Sequence, residues 1–207
     1  MLVRFSRYAM ILICMPMLAS CYFTSLHPLP VSSTIDNALL GLWQSAPASD
    51  DKESKPSYLL ITKYENRVWI TIFEDFYRAS ELYLGYCSVI KGEKYLSVQL
   101  SKPVSQGTTM AADEGFLLVH YSISPTGQLK LTLLNEDFIE KAVSQKSLSG
   151  TLDNKEVQLT ASSAALADFL GRSQTRDFLD ADSLLTAIKV PLPSLIKPQA
   201  SPTHQAP

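Results

Sequence analysis

Apolar and polar side chains alternate through much of the stretch from residue 39 to residue 190, and a period of two puts one set on each face of an extended strand. Leu96, Val98 and Leu100 alternate with Tyr95, Ser97 and Gln99, and Leu129, Leu131 and Leu133 alternate with Gln128, Lys130 and Thr132. Each such strand offers one face to a core and the other to water. Two further stretches, Val68 to Phe73 and Phe116 to Ile123, are apolar on both faces. Their second face therefore needs a cavity, a partner or another layer to cover it.

Turn chemistry sets the order of pairing. In Ser124-Pro125-Thr126-Gly127 the proline presets the first central torsion and the glycine accepts a positive φ, which predicts a hairpin between the flanking strands. Glu65-Asn66 separates strands predicted at Tyr58–Tyr64 and Arg67–Glu74, and Gly92-Glu93 separates Leu82–Lys91 from Lys94–Lys102. Consecutive hairpins predict a meander. The break from Ser101 to Glu114, with Pro103, Gly107 and two acidic residues, reads as an exposed loop.

Helical spacing follows these strands. Asn135 is placed to cap a short helix in which Glu136 and Asp137 face the positive N-terminus and Phe138, Ile139, Ala142 and Val143 share a face. A strand at Glu156–Ala161 leads through Ser162 or Ser163 into a second helix carrying Leu166, Phe169 and Leu170, with Gly171 placed to end it. A last strand runs from Leu184 to Val190. The expected fold is mainly β with two short helices, an antiparallel meander of about eight strands that closes into a barrel or curls strongly and so hides its edges. On alternation Trp69, Thr71 and Phe73 oppose Val68, Ile70 and Ile72. Because only one set can fill the core, Trp69 and Phe73, with Phe116 from the other two-faced strand, are the candidate wall of an apolar ligand site.

The first 21 residues belong to a different regime. Arg4 and Arg7 form a positive n-region and Tyr8 to Leu18 an apolar h-region containing Pro16. That run is too short for a membrane-spanning helix, which needs about 20 residues. Leu18-Ala19-Ser20-Cys21 follows, and with it the chain resembles bacterial lipoproteins, whose lipobox ends in a cysteine that is acylated before cleavage. The resemblance implies a signal peptide at 1–20, lipidation at Cys21 and anchoring by acyl chains. Tyr22, rather than aspartate, after the cysteine implies the outer membrane, facing the periplasm, over the inner membrane. Residues 21–38, with Pro28, Pro30 and several hydroxyl side chains, read as the lipidated cysteine and a tether to one β-rich domain at 39–190. Residues 191–207, with five prolines, read as a disordered tail.

Loss of residues 1–20 removes Arg4 and Arg7, leaving 16 basic side chains against 20 acidic ones and a net charge of about −4. Such a balance argues against nucleic acid or anionic headgroups as partners, since both select basic surfaces. Of three cysteines, Cys14 leaves with the signal and Cys21 takes the lipid; Cys87 then has no disulfide partner and reads as a buried small hydrophobe. No G-x-S-x-G elbow, H-E-x-x-H pair, paired-cysteine motif or glycine-rich phosphate loop occurs. Glu74 and Asp75 at a strand end, and Asp177, Asp180 and Asp182, read as solvated or capping carboxylates. His120 reads as a strand residue. Thus no catalytic residue, metal site or cofactor is expected.

Gly41-Leu42-Trp43 opens the first strand and resembles the Gly-X-Trp of lipocalins, whose tryptophan plugs the closed end of an eight-stranded barrel. A basic residue packs on that tryptophan in lipocalins, and the sequence alone does not locate its counterpart. More broadly the chain resembles small bacterial envelope lipoproteins. The expected function is a noncatalytic, membrane-anchored binding module for an apolar small molecule or an envelope protein. A periplasmic hydrolase with a site dispersed over loops is the alternative. Replacing Cys21 by alanine should move the protein from the membrane to the soluble envelope fraction. Continued membrane fractionation of that variant would contradict the lipid anchor.

Overall fold

Eight strands of the computed structural model close on themselves. It describes residues 23–45, 56–75, 78–100, 115–153, 156–172, 178–180 and 184–191. The signal segment, Cys21 and all of the expected tail except Pro191 lie outside these residues. In chain order the elements are β1 (Thr24–Ser25), β2 (Gly41–Ser45), β3 (Tyr58–Tyr64), β4 (Arg67–Asp75), β5 (Arg78–Ile90), β6 (Glu93–Gln99), β7 (Phe116–Ile123), β8 (Gln128–Leu133), α1 (Glu136–Ser144), β9 (Gly150–Asp153), β10 (Glu156–Leu159), α2 (Ser163–Arg172) and β11 (Leu185–Val190).

The strands β2 to β8 form an antiparallel meander, each paired with the next, and β11 closes the ring between β8 and β2. Closure leaves none of the eight with a free edge. Turn residues carry the hairpins: Gly127 takes φ 80° between β7 and β8 as expected, while the β5–β6 turn falls one residue earlier than Gly92-Glu93, on Lys91 and Gly92, which both take positive φ. The expected strand at Glu156–Ala161 is not part of the ring. It forms a hairpin with β9, and that hairpin extends the sheet beyond the start of β7 through β1, whose Ser25 pairs with Phe116.

Two cores result, one on each side of the barrel wall. Trp43, Ile61, Val68, Ile70, Cys87, Leu96, Val119, Leu129 and Ala187 bring all eight strands together in the interior. Outside, Tyr95, Phe116 and Leu118 on β6 and β7 pack beneath Ile139 of α1, Leu166 and Leu170 of α2, and Val157 and Leu159 of β10. The two-faced apolar character of β7 is thereby explained, since both of its faces are covered. Asn135 caps α1, its side-chain oxygen accepting from the Phe138 N–H at 2.9 Å, and Ser162 caps α2 by accepting from Ala165. Gly171 does not end α2, which continues to Arg172. A Cβ there would lie 3.4 Å from Lys91 Cε, in ordinary van der Waals contact with the β5–β6 turn.

The segment expected as a tether is instead folded. Phe23 and Leu29 belong to the outer core at 2% and 0% exposure, and Leu39 belongs to the interior at 0%. Leu26 N–H donates to the Leu159 carbonyl, Leu29 N–H to Ser97 Oγ and Ser32 N–H to the Cys87 carbonyl. The chain therefore runs down the outside of the wall and turns in under the barrel before β2 begins. Isolated apolar residues at 23, 29, 35 and 39, interrupted by prolines, carry no period because the segment fits a groove rather than a sheet.

At mid-height the interior is tightly filled. A Cβ on Gly85 would meet Val68 Cγ2 at 2.9 Å, Ile70 Cδ1 at 3.0 Å and Leu96 Cδ1 at 3.2 Å. Gly85→Ala should therefore destabilise the domain by about 1–3 kcal/mol through overpacking. Urea unfolding midpoints check this, and an unchanged midpoint would show that the interior has room to spare.

Candidate functional site

The barrel has a floor and a mouth. Hairpins β3–β4, β5–β6 and β7–β8 and the start of β2 lie at one end, while β4, β6 and β8 end and β5 and β7 begin at the other.

The floor is built by residues 35–43. Asp36 turns the chain, its Oδ1 accepting from Ala38 N–H at 3.0 Å and its carbonyl from Leu39 N–H at 3.0 Å. Its Oδ2 accepts from Lys94 Nζ at 2.7 Å and from the Tyr121 hydroxyl at 3.4 Å. Burial works to raise the Asp36 carboxyl, but the Lys94 hydrogen bond and charge, with the Ala38 N–H, outweigh it and hold the group below its ordinary range. Cys87 is nearby and sealed at 3% exposure, and burial pushes its thiol up to about 11.

Trp43 lies fully buried beside this turn, its indole N–H donating to the Leu39 carbonyl at 2.9 Å. Lys189 of β11 places its ammonium 5.2 Å from the Trp43 ring centre and donates to the Ala38 carbonyl at 3.1 Å. Gly41 makes that possible, because a Cβ there would stand 2.7 Å from Lys189 Cε and the residue has φ 133°. The glycine and tryptophan of Gly41-Leu42-Trp43 are thus two parts of one arrangement. The Lys189–Trp43 contact could not be read from the sequence, because only the ring closure between β11 and β2 brings the two residues together.

The mouth differs in character. Ile72, Tyr83, Val98, Leu117 and Leu185 project inward above the filled centre and are only partly buried. Glu81, paired across from Ile72, shares their face, and Tyr83 donates its hydroxyl to Glu81 Oε2 at 2.5 Å. Burial and the adjacent carboxylate push the Tyr83 phenol well above its usual range, so it remains a donor. These six side chains form an apolar rim with one polar pair.

The aromatic residues proposed from alternation do not line this interior. Trp69 pairs across from Thr62 on the outer face and packs on Tyr64 with ring centres 5.3 Å apart. Phe73 sits opposite Tyr58 on the same outer face. Phe116 is in the outer core at 8% exposure, edge-on to Tyr86 at 5.8 Å. Alternation grouped Trp69 with Phe73 and set them opposite Val68 and Ile70, which fill the barrel as expected; the aromatic face is the outer wall rather than a cavity. The mouth residues were missed because they come from five different strands.

His120 also faces outward, its Nε2 2.8 Å from Glu93 Oε2 and its ring edge-on to Tyr95. Asp180 accepts from Asn135 Nδ2 at 3.2 Å, while Asp177 and Asp182 lie outside the described residues. No family model, curated protein or solved structure matches the chain.

Because Asp36 has a lower carboxyl pKa folded than its ordinary value near 3.8, its contribution to stability is present above that value and is lost as the pH falls through the folded one. Asp36→Asn should therefore be less stable than the parent at neutral pH, with the gap closing as the pH falls below about 3.8. Thermal midpoints across that range test it, and a gap independent of pH would remove the carboxylate charge from the floor's stability.

Proposed function

We propose that the chain is a lipid-anchored envelope protein, acylated at Cys21 and held at the outer membrane on its periplasmic side, whose barrel binds an apolar small molecule at its mouth without turning it over. The observation that carries the binding reading is the contrast between the two ends. The floor is closed by a buried tryptophan, an ion pair and a folded-in segment, whereas the rim is apolar, inward-facing and incompletely covered. Sites for small apolar molecules are concave and mostly apolar with a few placed polar groups, which is the composition of this rim.

The noncatalytic reading draws support from the barrel wall. Cys87 faces the sealed interior and His120 the outside, so the described thiol and this imidazole stand on opposite sides of the sheet. Among the described residues no helix is long and apolar enough to cross a membrane; the anchor in this reading is the acyl chains expected at Cys21. The anchor would also be short. Phe23 is already buried, and the two residues from it to Cys21 span at most about 7 Å. Acylation at Cys21 would hold the barrel against the bilayer rather than at the end of a long tether.

Titration of the intact chain with the neutral fluorescent probe N-phenyl-1-naphthylamine tests the binding site. Val98→Trp, which fills the rim, should weaken binding about tenfold, a change of about 1.4 kcal/mol, while Trp69→Ala on the outer wall should leave it unchanged. No binding by the parent, or equal loss in both variants, would overturn the reading.

A further inference from the structure

The charges that face the barrel interior are segregated by end. Among the described residues, Lys94 and Lys189 are at the floor, where Lys94 pairs with Asp36 and Lys189 covers Trp43. Lys63 occupies an inward position at the same end, opposite Val68. The rim carries Glu81 and no described basic side chain. Glu81 sits in β5 opposite Ile72 and two residues from Tyr83, so the chain commits a carboxylate to an apolar opening. Burying a carboxylate in such surroundings costs free energy unless donors reach it. Tyr83 supplies one, at 2.5 Å to Oε2, and no described basic side chain forms an ion pair with Glu81. A carboxylate accepts through both oxygens. Tyr83 therefore satisfies and orients one oxygen while the second retains acceptor capacity.

Resting on the mouth as the binding site, we propose that its ligand is an amphiphile with a cationic, hydrogen-bond-donating head, such as an alkylammonium, that meets Glu81 while its chain covers Ile72, Val98, Leu117 and Leu185. A carboxylate head is disfavoured by the same geometry. It would bring like charge against Glu81, and the Tyr83 hydroxyl that could have received it already donates to Glu81. An alcohol head can donate but adds no charge, and falls between the two. Charge-assisted hydrogen bonds are stronger than neutral ones, so the order ammonium, alcohol, carboxylate is the signature of this site.

The test is calorimetric titration of the intact chain at neutral pH with dodecylammonium, dodecan-1-ol and dodecanoate, each below its aggregation threshold. Dodecylammonium should bind about tenfold or more tighter than dodecanoate. Glu81→Gln keeps the shape and an acceptor for Tyr83 but removes the charge. That variant should lose most of the preference for the ammonium over the carboxylate, whereas Trp69→Ala on the outer wall should keep it. If dodecan-1-ol binds but the ammonium is no better than the carboxylate, the head-group assignment falls and the mouth stands. If the preference survives in Glu81→Gln, Glu81 is not its source and the assignment falls. Binding of none of the three would overturn the mouth as a site for apolar chains, and the assignment with it.

Discussion

Trp43 is held between the Leu39 carbonyl, which accepts its indole N–H, and the Lys189 ammonium over its ring, and this contact closes the barrel where β11 meets β2. A ring of eight strands removes every edge but leaves two open ends, and an end open to water exposes the inward apolar side chains of every strand. One end is closed here by residues 35–43. They are the last part of a segment that starts in the outer core at Phe23 and finishes inside at Leu39 and Trp43. The same segment therefore joins both cores across the barrel wall. The Asp36–Lys94 pair adds a polar tie to this apolar closure, and because Lys94 holds the Asp36 carboxyl below its ordinary range the tie is lost in acid.

The meander was legible in the sequence because its signals are local. Alternation in Tyr95–Leu100 and Gln128–Leu133, together with turn residues at Gly92 and Gly127, is enough to order seven consecutive strands. Asn135 and Ser162 likewise announce their helices through cap chemistry that acts over three residues. What could not be read was whatever depends on closure. Lys189 lies 146 positions from Trp43 in the chain, and nothing local to either residue announces the other. The fold of residues 23–38 was hidden for a related reason. Its buried residues are spaced to fit a path across the outer wall and under the floor, which has no fixed period, and its prolines suit that irregular path as well as they suit a linker.

The candidate site divides in the same way. That β4 carries two distinct apolar faces was visible, but that the aromatic one lies on the outer wall is settled only by ring curvature. Val68 and Ile70 fit a centre in which even Gly85 has no space for a methyl group, whereas the indole of Trp69 would not. The inward rim of Ile72, Tyr83, Val98, Leu117 and Leu185, with Glu81, is assembled from four hairpin-related strands and from β11, and exists only after closure. It lies at the end opposite the floor, so the residues that close the barrel and the rim proposed as a binding site are separate sets.

Amide hydrogen exchange of the intact chain tests most directly whether residues 23–43 are a structural plug. Leu26, Leu29, Ser32 and Leu39 donate their N–H groups within the folded body, so they should exchange at rates comparable to those of the barrel strands β3 to β7. Exchange of these four at the rate of an unstructured chain, with the strands still protected, would make the segment a tether after all and leave the floor open.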